Sequence, residues 1–318
     1  MKKAVSLILS LVFTAVSAIF LTSCKDGATY TVGICQLAQH EALDAATRGF
    51  RDALTAKLGD RVRFDEANAA GDSNLCATIV NAFVAKKYDL ILANATAALQ
   101  AAYNATETIP ILGTSVTDYG VALGLKNYTG TVGGNVSGTS DLAPLTEQAQ
   151  MIFEWFPEAE RIGLLYCSAE PNSLYQVETV AAEIERRGKT ATRYSFSDSN
   201  DLSGVVESAC AAEDVLYIPT DNTAASCAGT IGNIVRERRV PVIAGEASTC
   251  AGCGVATLSI DYYDLGYRTG EMAAKILTGE KNISEMPVEY ADAAKYYNQE
   301  ICTELGLTPP AGYQPLGK

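Results

Sequence analysis

From Tyr30 onward the chain alternates short β-branched runs with stretches whose apolar residues recur at helical spacing, and few folds accept that rhythm. Thr31 to Cys35 predicts a strand. Glu41 to Leu58 predicts a helix with Leu43, Ala46, Phe50, Leu54 and Leu58 on one face, stopped by Gly59. Strands are expected again over Arg61 to Asp65, Leu90 to Ala93 and Ile109 to Gly113, separated by helices over Asn74 to Lys86 and Thr96 to Thr106. A Gly-rich interruption, "YTGTVGGNVSGTSD" at residues 128–141, breaks the series. Beyond it "RIGLLYC", "TATRYSF", "DVLYIPT", "PVIAG" and "GVATLSI" read as strands. Helices are expected over Leu142 to Phe156, Leu174 to Arg187, Asp201 to Ala212, Thr223 to Arg238 and Tyr263 to Thr278. The tail gives a strand-like "AKYYN" and a short helix, "QEICTELG".

Strands alternating with helices of this length imply parallel sheets covered on both faces, an α/β class. Two such series around a Gly-rich segment, in 318 residues, imply two doubly wound parallel-sheet lobes of similar size joined by hinge strands.

The N-terminus carries a different signal. Lys2 and Lys3 precede an almost wholly apolar run, Ala4 to Phe20, and then Leu21-Thr22-Ser23-Cys24 and the polar Lys25-Asp26-Gly27. A run this short with charges before it reads as an export signal rather than a spanning helix. The Leu-Thr-Ser-Cys end resembles a bacterial lipobox, which implies a signal peptide over residues 1–23, lipidation of Cys24 and a linker over 24–29. The expected location is the extracytoplasmic face of the cell membrane, held by a lipid. A formal charge of −13 without a basic cluster argues against nucleic acid or an anionic membrane surface as a partner. The cysteines sit mostly in apolar runs, where they act as small hydrophobes. Only Cys250-Ala-Gly-Cys253 has close spacing, and with one histidine in the chain a tetrahedral zinc site is poorly supplied.

In open parallel sheets ligands lie beyond the carboxyl ends of the strands. Those ends hold Cys35-Gln36, Asn94-Ala95-Thr96 and Thr114-Ser115-Val116-Thr117-Asp118 in the first series. In the second they hold Cys167 to Glu170 with Asn172 and Ser173, Thr220-Asp221-Asn222-Thr223, Gly245-Glu246 and Asp261-Tyr262. Each taken alone reads equally as a helix cap. Together they describe a cleft for a small zwitterion or polar solute, its carboxylate at helix N-termini and its ammonium at Asp221, Glu246 or Asp118. Catalytic equipment is not evident. "RRGKT" lacks the upstream glycine of a P-loop, no G-x-G-x-x-G follows the first strand, and no G-x-S-x-G occurs. His40 would have to serve any Ser-His-Asp system, and at a helix mouth it reads as a binding contact or a cap.

"GICQLAQHEALDAATRGF", "DSNLCATIVNAFVAKKYDLILANAT", "AEPNS", "PTDNTAAS" and "SIDYYDLGYRTGEMAAKIL" are similar to the substrate-binding lipoproteins of ABC importers of the TrpX type. The resemblance covers roughly Tyr30 to Leu307 and implies a type I periplasmic-binding-protein fold, the Venus-flytrap arrangement. It also implies a crossover: residues 30–138 with about 263–282 in lobe 1, and 139–262 with about 283–318 in lobe 2. No cofactor and no enzymatic activity are expected, and the partners would be an ABC permease with its ATPase. The implied ligand is an amino acid, aromatic such as tryptophan, phenylalanine or tyrosine. Its carboxylate would meet Thr96 and Ser115, and Tyr119, Tyr175 and Tyr262 could stack against its ring. A nucleoside or a sugar could use the same surfaces. From another class, the alternative is a thiol-redox surface protein using Cys250 and Cys253. His40-Glu41 and Asn94-Ala-Thr-Ala depart from the family's usual His-Pro and Ala-Thr-Pro.

Overall fold

The computed structural model describes residues 29–317; the expected signal peptide, Cys24 and nearly all of the 24–29 linker lie outside them. Two sheets carry the fold. The first is built from β1 (Tyr30–Gln36), β2 (Val62–Asn68), β3 (Leu90–Asn94), β4 (Ile111–Val116), β5 (Val136–Ser140) and β11 (Glu289–Tyr290), in the order β11-β5-β4-β3-β1-β2. The second holds β6 (Arg161–Cys167), β7 (Thr190–Phe196), β8 (Val215–Ile218), β9 (Val242–Ala244), β10 (Ala256–Ile260), β12 (Ala293–Tyr297) and β13 (Gln314–Pro315), in the order β13-β12-β10-β9-β8-β6-β7. All pairings are parallel except β10 with β12. That antiparallel strand reflects the route of the tail, which enters the second sheet directly from the first.

Helices α1 (Glu41–Leu58), α2 (Ser73–Ala85), α3 (Thr96–Ala105) and α4 (Tyr119–Leu123) belong to the first lobe. Helices α5 (Leu145–Trp155), α6 (Pro171–Arg186), α7 (Leu202–Ala212), α8 (Asn222–Ser226), α9 (Ala228–Arg238) and α10 (Ala247–Cys253) belong to the second, with α12 (Gln299–Leu305). Helix α11 (Tyr262–Leu277) returns to the first lobe and packs on α1. A Cβ on Gly266 would stand 1.9 Å from the Ala46 carbonyl oxygen, and one on Gly49 would stand 2.1 Å from that of Tyr263. Small residues on both helices therefore set this close approach. Each sheet is buried on both faces: Phe50, Leu54 and Met272 cover one side of the first, and Val80, Phe83 and Leu99 the other. In the second sheet Ile152, Val177 and Ile184 face one side, Val206, Ile231 and Val235 the other.

The chain crosses between lobes three times: after β5, between β10 and α11, and between β11 and β12. The lobe limits differ from the expected ones at two places. Strand β5 keeps residues up to Ser140 in the first sheet, where the expected limit was 138. Glu289 and Tyr290 pair with Thr139 and Ser140, so residues 283–290 stay with lobe 1 and the last crossing falls at Ala291-Asp292. Local differences have local causes. Strand β4 reaches Val116 because its register against β5 shifts between Gly113 and Val116, which admits Ser115 at φ +54°. Pro144 delays α5 to Leu145, and the expected helix over Thr223 to Arg238 breaks at Cys227 into α8 and α9. The segment Ala247 to Cys253 adds a helix, α10.

Candidate ligand-binding cleft

The carboxyl ends of both sheets face each other, and three hydrogen bonds tie the lobes and their hinge at that level. His40 Nε2 lies 3.3 Å from Asn222 Oδ1, and Gln176 Nε2 donates to Thr117 Oγ1 at 3.5 Å. The Tyr262 hydroxyl donates to Asp141 Oδ2 at 3.0 Å, joining two of the crossing segments. Beside the His40–Asn222 contact a cavity of about 420 Å3 opens between the lobes, with Leu37, Ala38 and Ala97 on one wall and Cys167, Ala169 and Cys227 on the other.

In the first lobe the strand ends divide into committed and uncommitted groups. Gln36 is committed: its Nε2 donates to the Ala38 carbonyl and to Asp44, and its Oε1 accepts from Thr47, tying β1 to α1. Val116 is core, packed among apolar side chains. Asn94 donates to the Leu43 carbonyl and to Thr47, but its Oδ1 is buried with no donor among the described residues. Ser115 Oγ is likewise buried and unpaired. Thr96 opens α3, whose N-cap is Ala95 at φ +92°, so no side chain caps the first-turn N–H groups. Left-handed φ at Ala95 and Ser115, both non-glycine, marks strained backbone at two adjacent strand ends.

In the second lobe the carboxylates are occupied. Glu170 accepts from the backbone N–H and side-chain amide of Asn222 at 3.0 and 2.6 Å, and from the N–H and hydroxyl of Thr223 at 2.9 and 2.8 Å. It thus caps α8 from a neighbouring loop. Asp221 caps the same helix at Ala224 N, accepts from Cys167 N at 2.6 Å and is touched by Ser173. Burial, then the Glu170 charge, pushes its carboxyl up to about 7. Glu246 accepts from the N–H groups of Ser248 and Thr249 at 2.6 and 2.5 Å and from both hydroxyls. Asp118 and Asp261 cap α4 and α11 at Val121 and Asp264. Asn172 holds the Thr220 carbonyl at 3.1 Å. Among the acids expected to meet an ammonium, Glu246 takes four donors and Asp221 two backbone N–H groups, each as a helix cap.

Asp141, which sequence reasoning passed over, differs from all of them. It is 4% exposed, and its Oδ1 is buried with no donor among the described residues. Burial pushes its carboxyl up to about 6 against the hydrogen bond from Tyr262, with the Glu246 charge acting in the same direction as burial. It directly follows β5, so the strand-end rule applied to it, but the glycines of residues 128–141 concealed that strand. The expected aromatic wall also changes. Tyr119 is buried in the first lobe, its ring against Gly113 and Gly138 and its hydroxyl donating to the Thr139 carbonyl at 3.1 Å. Tyr262 stands beside Asp141, and Tyr175 is half-buried on α6.

Cys250 and Cys253 are free and buried, with thiols pushed up by burial and bonded to the carbonyls of Gly254 and Thr249. Both properties oppose thiolate chemistry, so a surface thiol-redox role has no support at this pair.

Residues 31–311 match the family model for ABC transporter substrate binding proteins. The "Tyrosine-binding protein" of Clostridioides difficile (strain R20291) is 37% identical over 264 residues, 82% of this chain and 76% of that protein. An ABC domain from Streptococcus pneumoniae solved with L-Trp is 32% identical and superposes with a TM-score of 0.84, covering 89% of this chain and 97% of that one. The ligand-free, open structure of a Clostridium difficile substrate-binding protein with adhesive properties is 36% identical but has a TM-score of 0.69, over 91% of this chain and 100% of that one. By fold, cleft and sequence, the chain belongs to the ABC transporter substrate-binding protein family.

Proposed function

We propose that this chain is the extracytoplasmic binding component of an ABC importer, capturing an aromatic amino acid between its lobes. Lipidation of Cys24 would hold it at the membrane beside the permease and ATPase that receive the ligand. The observation that carries the ligand class is Asp141: a buried carboxylate beside a tyrosine, one oxygen of which has no donor, and which has no bonded cation, among the described residues. A buried anion of this kind is stabilised by a cation, and an α-ammonium fits. Opposite charge is accommodated by the uncapped N-terminus of α3 with the Ser115 hydroxyl, which together suit a carboxylate. Tyr262 and Tyr175 offer ring faces, and the tyrosine- and tryptophan-binding relatives point the same way.

Ligand binding would favour the closed arrangement by its differential affinity for the two lobe positions. Thermal unfolding against a panel of amino acids, nucleosides and sugars tests the reading. L-Tyrosine or L-tryptophan at a hundred times its Kd should stabilise the protein by about 2.7 kcal/mol. Stabilisation by nucleosides or sugars alone would replace the ligand class, and no response from any aromatic amino acid would remove it.

A further inference from the structure

We infer that His40 reads a hydrogen-bond donor on the ligand's side chain, so that the cleft selects tyrosine or tryptophan over phenylalanine. The inference rests on the aromatic amino acid reading above and names the group that discriminates within that class.

Three side chains, Glu170, Asn222 and His40, form a chain across the lobe boundary. Glu170 accepts from Asn222 Nδ2 at 2.6 Å, which fixes the orientation of that amide and turns its Oδ1 toward lobe 1. Asn222 Oδ1 is 3.3 Å from His40 Nε2, and an amide oxygen can only accept, so Nε2 carries the proton. In the neutral imidazole the other nitrogen, Nδ1, is then an acceptor. Nδ1 is buried, and no group among the described residues donates to it. His40 is the N-cap of α1, but its side chain makes no capping bond to that helix, so the cap role does not use Nδ1 either. A buried acceptor without a donor is unfavourable, and a ligand hydroxyl or indole N–H would relieve that cost. A phenyl ring would not.

A cavity is bounded by Asn222, the residue that His40 contacts. The cavity beside Asn222 has apolar walls at Leu37, Ala38, Ala97 and Ala169. Ala97 lies in the first turn of α3, next to Thr96, so this cavity adjoins the helix end assigned to the ligand carboxylate. An aromatic ring would fill the apolar part and place its donor at the lobe boundary. Sites that bond a substrate donor discriminate strongly against analogues lacking it, because the protein group is then left unpaired.

The test is calorimetric titration of the full-length protein with L-tyrosine, L-tryptophan and L-phenylalanine, repeated with His40→Phe and His40→Gln. The wild-type protein should bind at least one donor-bearing ligand about tenfold or more tighter than phenylalanine, as one hydrogen bond of ordinary strength would give. His40→Phe should abolish that preference, bringing the three affinities together even as loss of the His40–Asn222 contact weakens all of them. His40→Gln, whose Oε1 can accept, should restore part of it. Equal affinity for all three ligands in the wild type, or a uniform loss in His40→Phe that leaves the ratio unchanged, would overturn the inference while leaving the ligand class intact. Failure of all three to bind would instead remove the ligand class itself.

Discussion

Replacing Asp141 by Asn separates binding from stability, because the two should move in opposite directions. In the ligand-free protein the carboxyl is pushed up to about 6 from an ordinary 3.8, chiefly by burial. The folded state therefore holds this proton more tightly than the unfolded chain. Its contribution to stability is present in full near pH 4 and is lost as pH rises through about 6, a change of about 3 kcal/mol. Asp141→Asn keeps the acceptor for Tyr262 and removes the charge, so the empty variant should be as stable as the wild type at pH 7 or more so. Ligand binding should suffer instead. Loss of a charge-assisted bond to an ammonium costs about 1.5–3 kcal/mol, so Kd should rise about 10- to 100-fold. In the wild type the ammonium favours the carboxylate, so binding near and below pH 6 should release a proton, and affinity should fall as pH drops. Titration calorimetry at pH 5, 6 and 7.5 in buffers of different ionisation enthalpy reads both effects. An unchanged Kd in Asp141→Asn, or affinity independent of pH, would refute the assignment.

Glu246→Ala should behave in the reverse manner, lowering Tm through the loss of about 1–2 kcal/mol of α10 capping while leaving aromatic amino acid affinity near that of the wild type; a collapse of affinity would restore Glu246 as an ammonium partner. Gly266→Ala forces a Cβ against the Ala46 carbonyl and should destabilise by about 1–3 kcal/mol or more, visible in thermal unfolding. Of the eight cysteines in the described residues, half-exposed Cys227 should react first with iodoacetamide, and Cys250 and Cys253 only on unfolding. Native labelling of that pair would contradict their burial.

The alternation of strands and helices was legible because fully buried parallel strands such as Leu90–Asn94 are continuous apolar runs, and helices such as α1 show one apolar face. Register and bulges were not, since Ser115 reaches its place through a shift in β4 that depends on a neighbouring strand hidden among glycines. Burial of both faces places Tyr119 in the core, a matter of packing against Gly113 and Gly138 that no local pattern carries. The polar strand ends were legible, but not how their side chains divide between caps and free groups. Asp221, Glu246 and Asp141 are all acids after strands, and only the donors each one meets separate two caps from the group left free.

On the proposed reading the cleft recognises a free aromatic amino acid by its ammonium as well as its ring. Titration of the protein with L-tyrosine and L-tryptophan alongside their N-acetyl derivatives tests it most directly. Saturable one-to-one binding of a free amino acid, lost on acetylation of its nitrogen, is the predicted result. Equal binding of the acetylated and free forms, or binding of neither free amino acid, would contradict it.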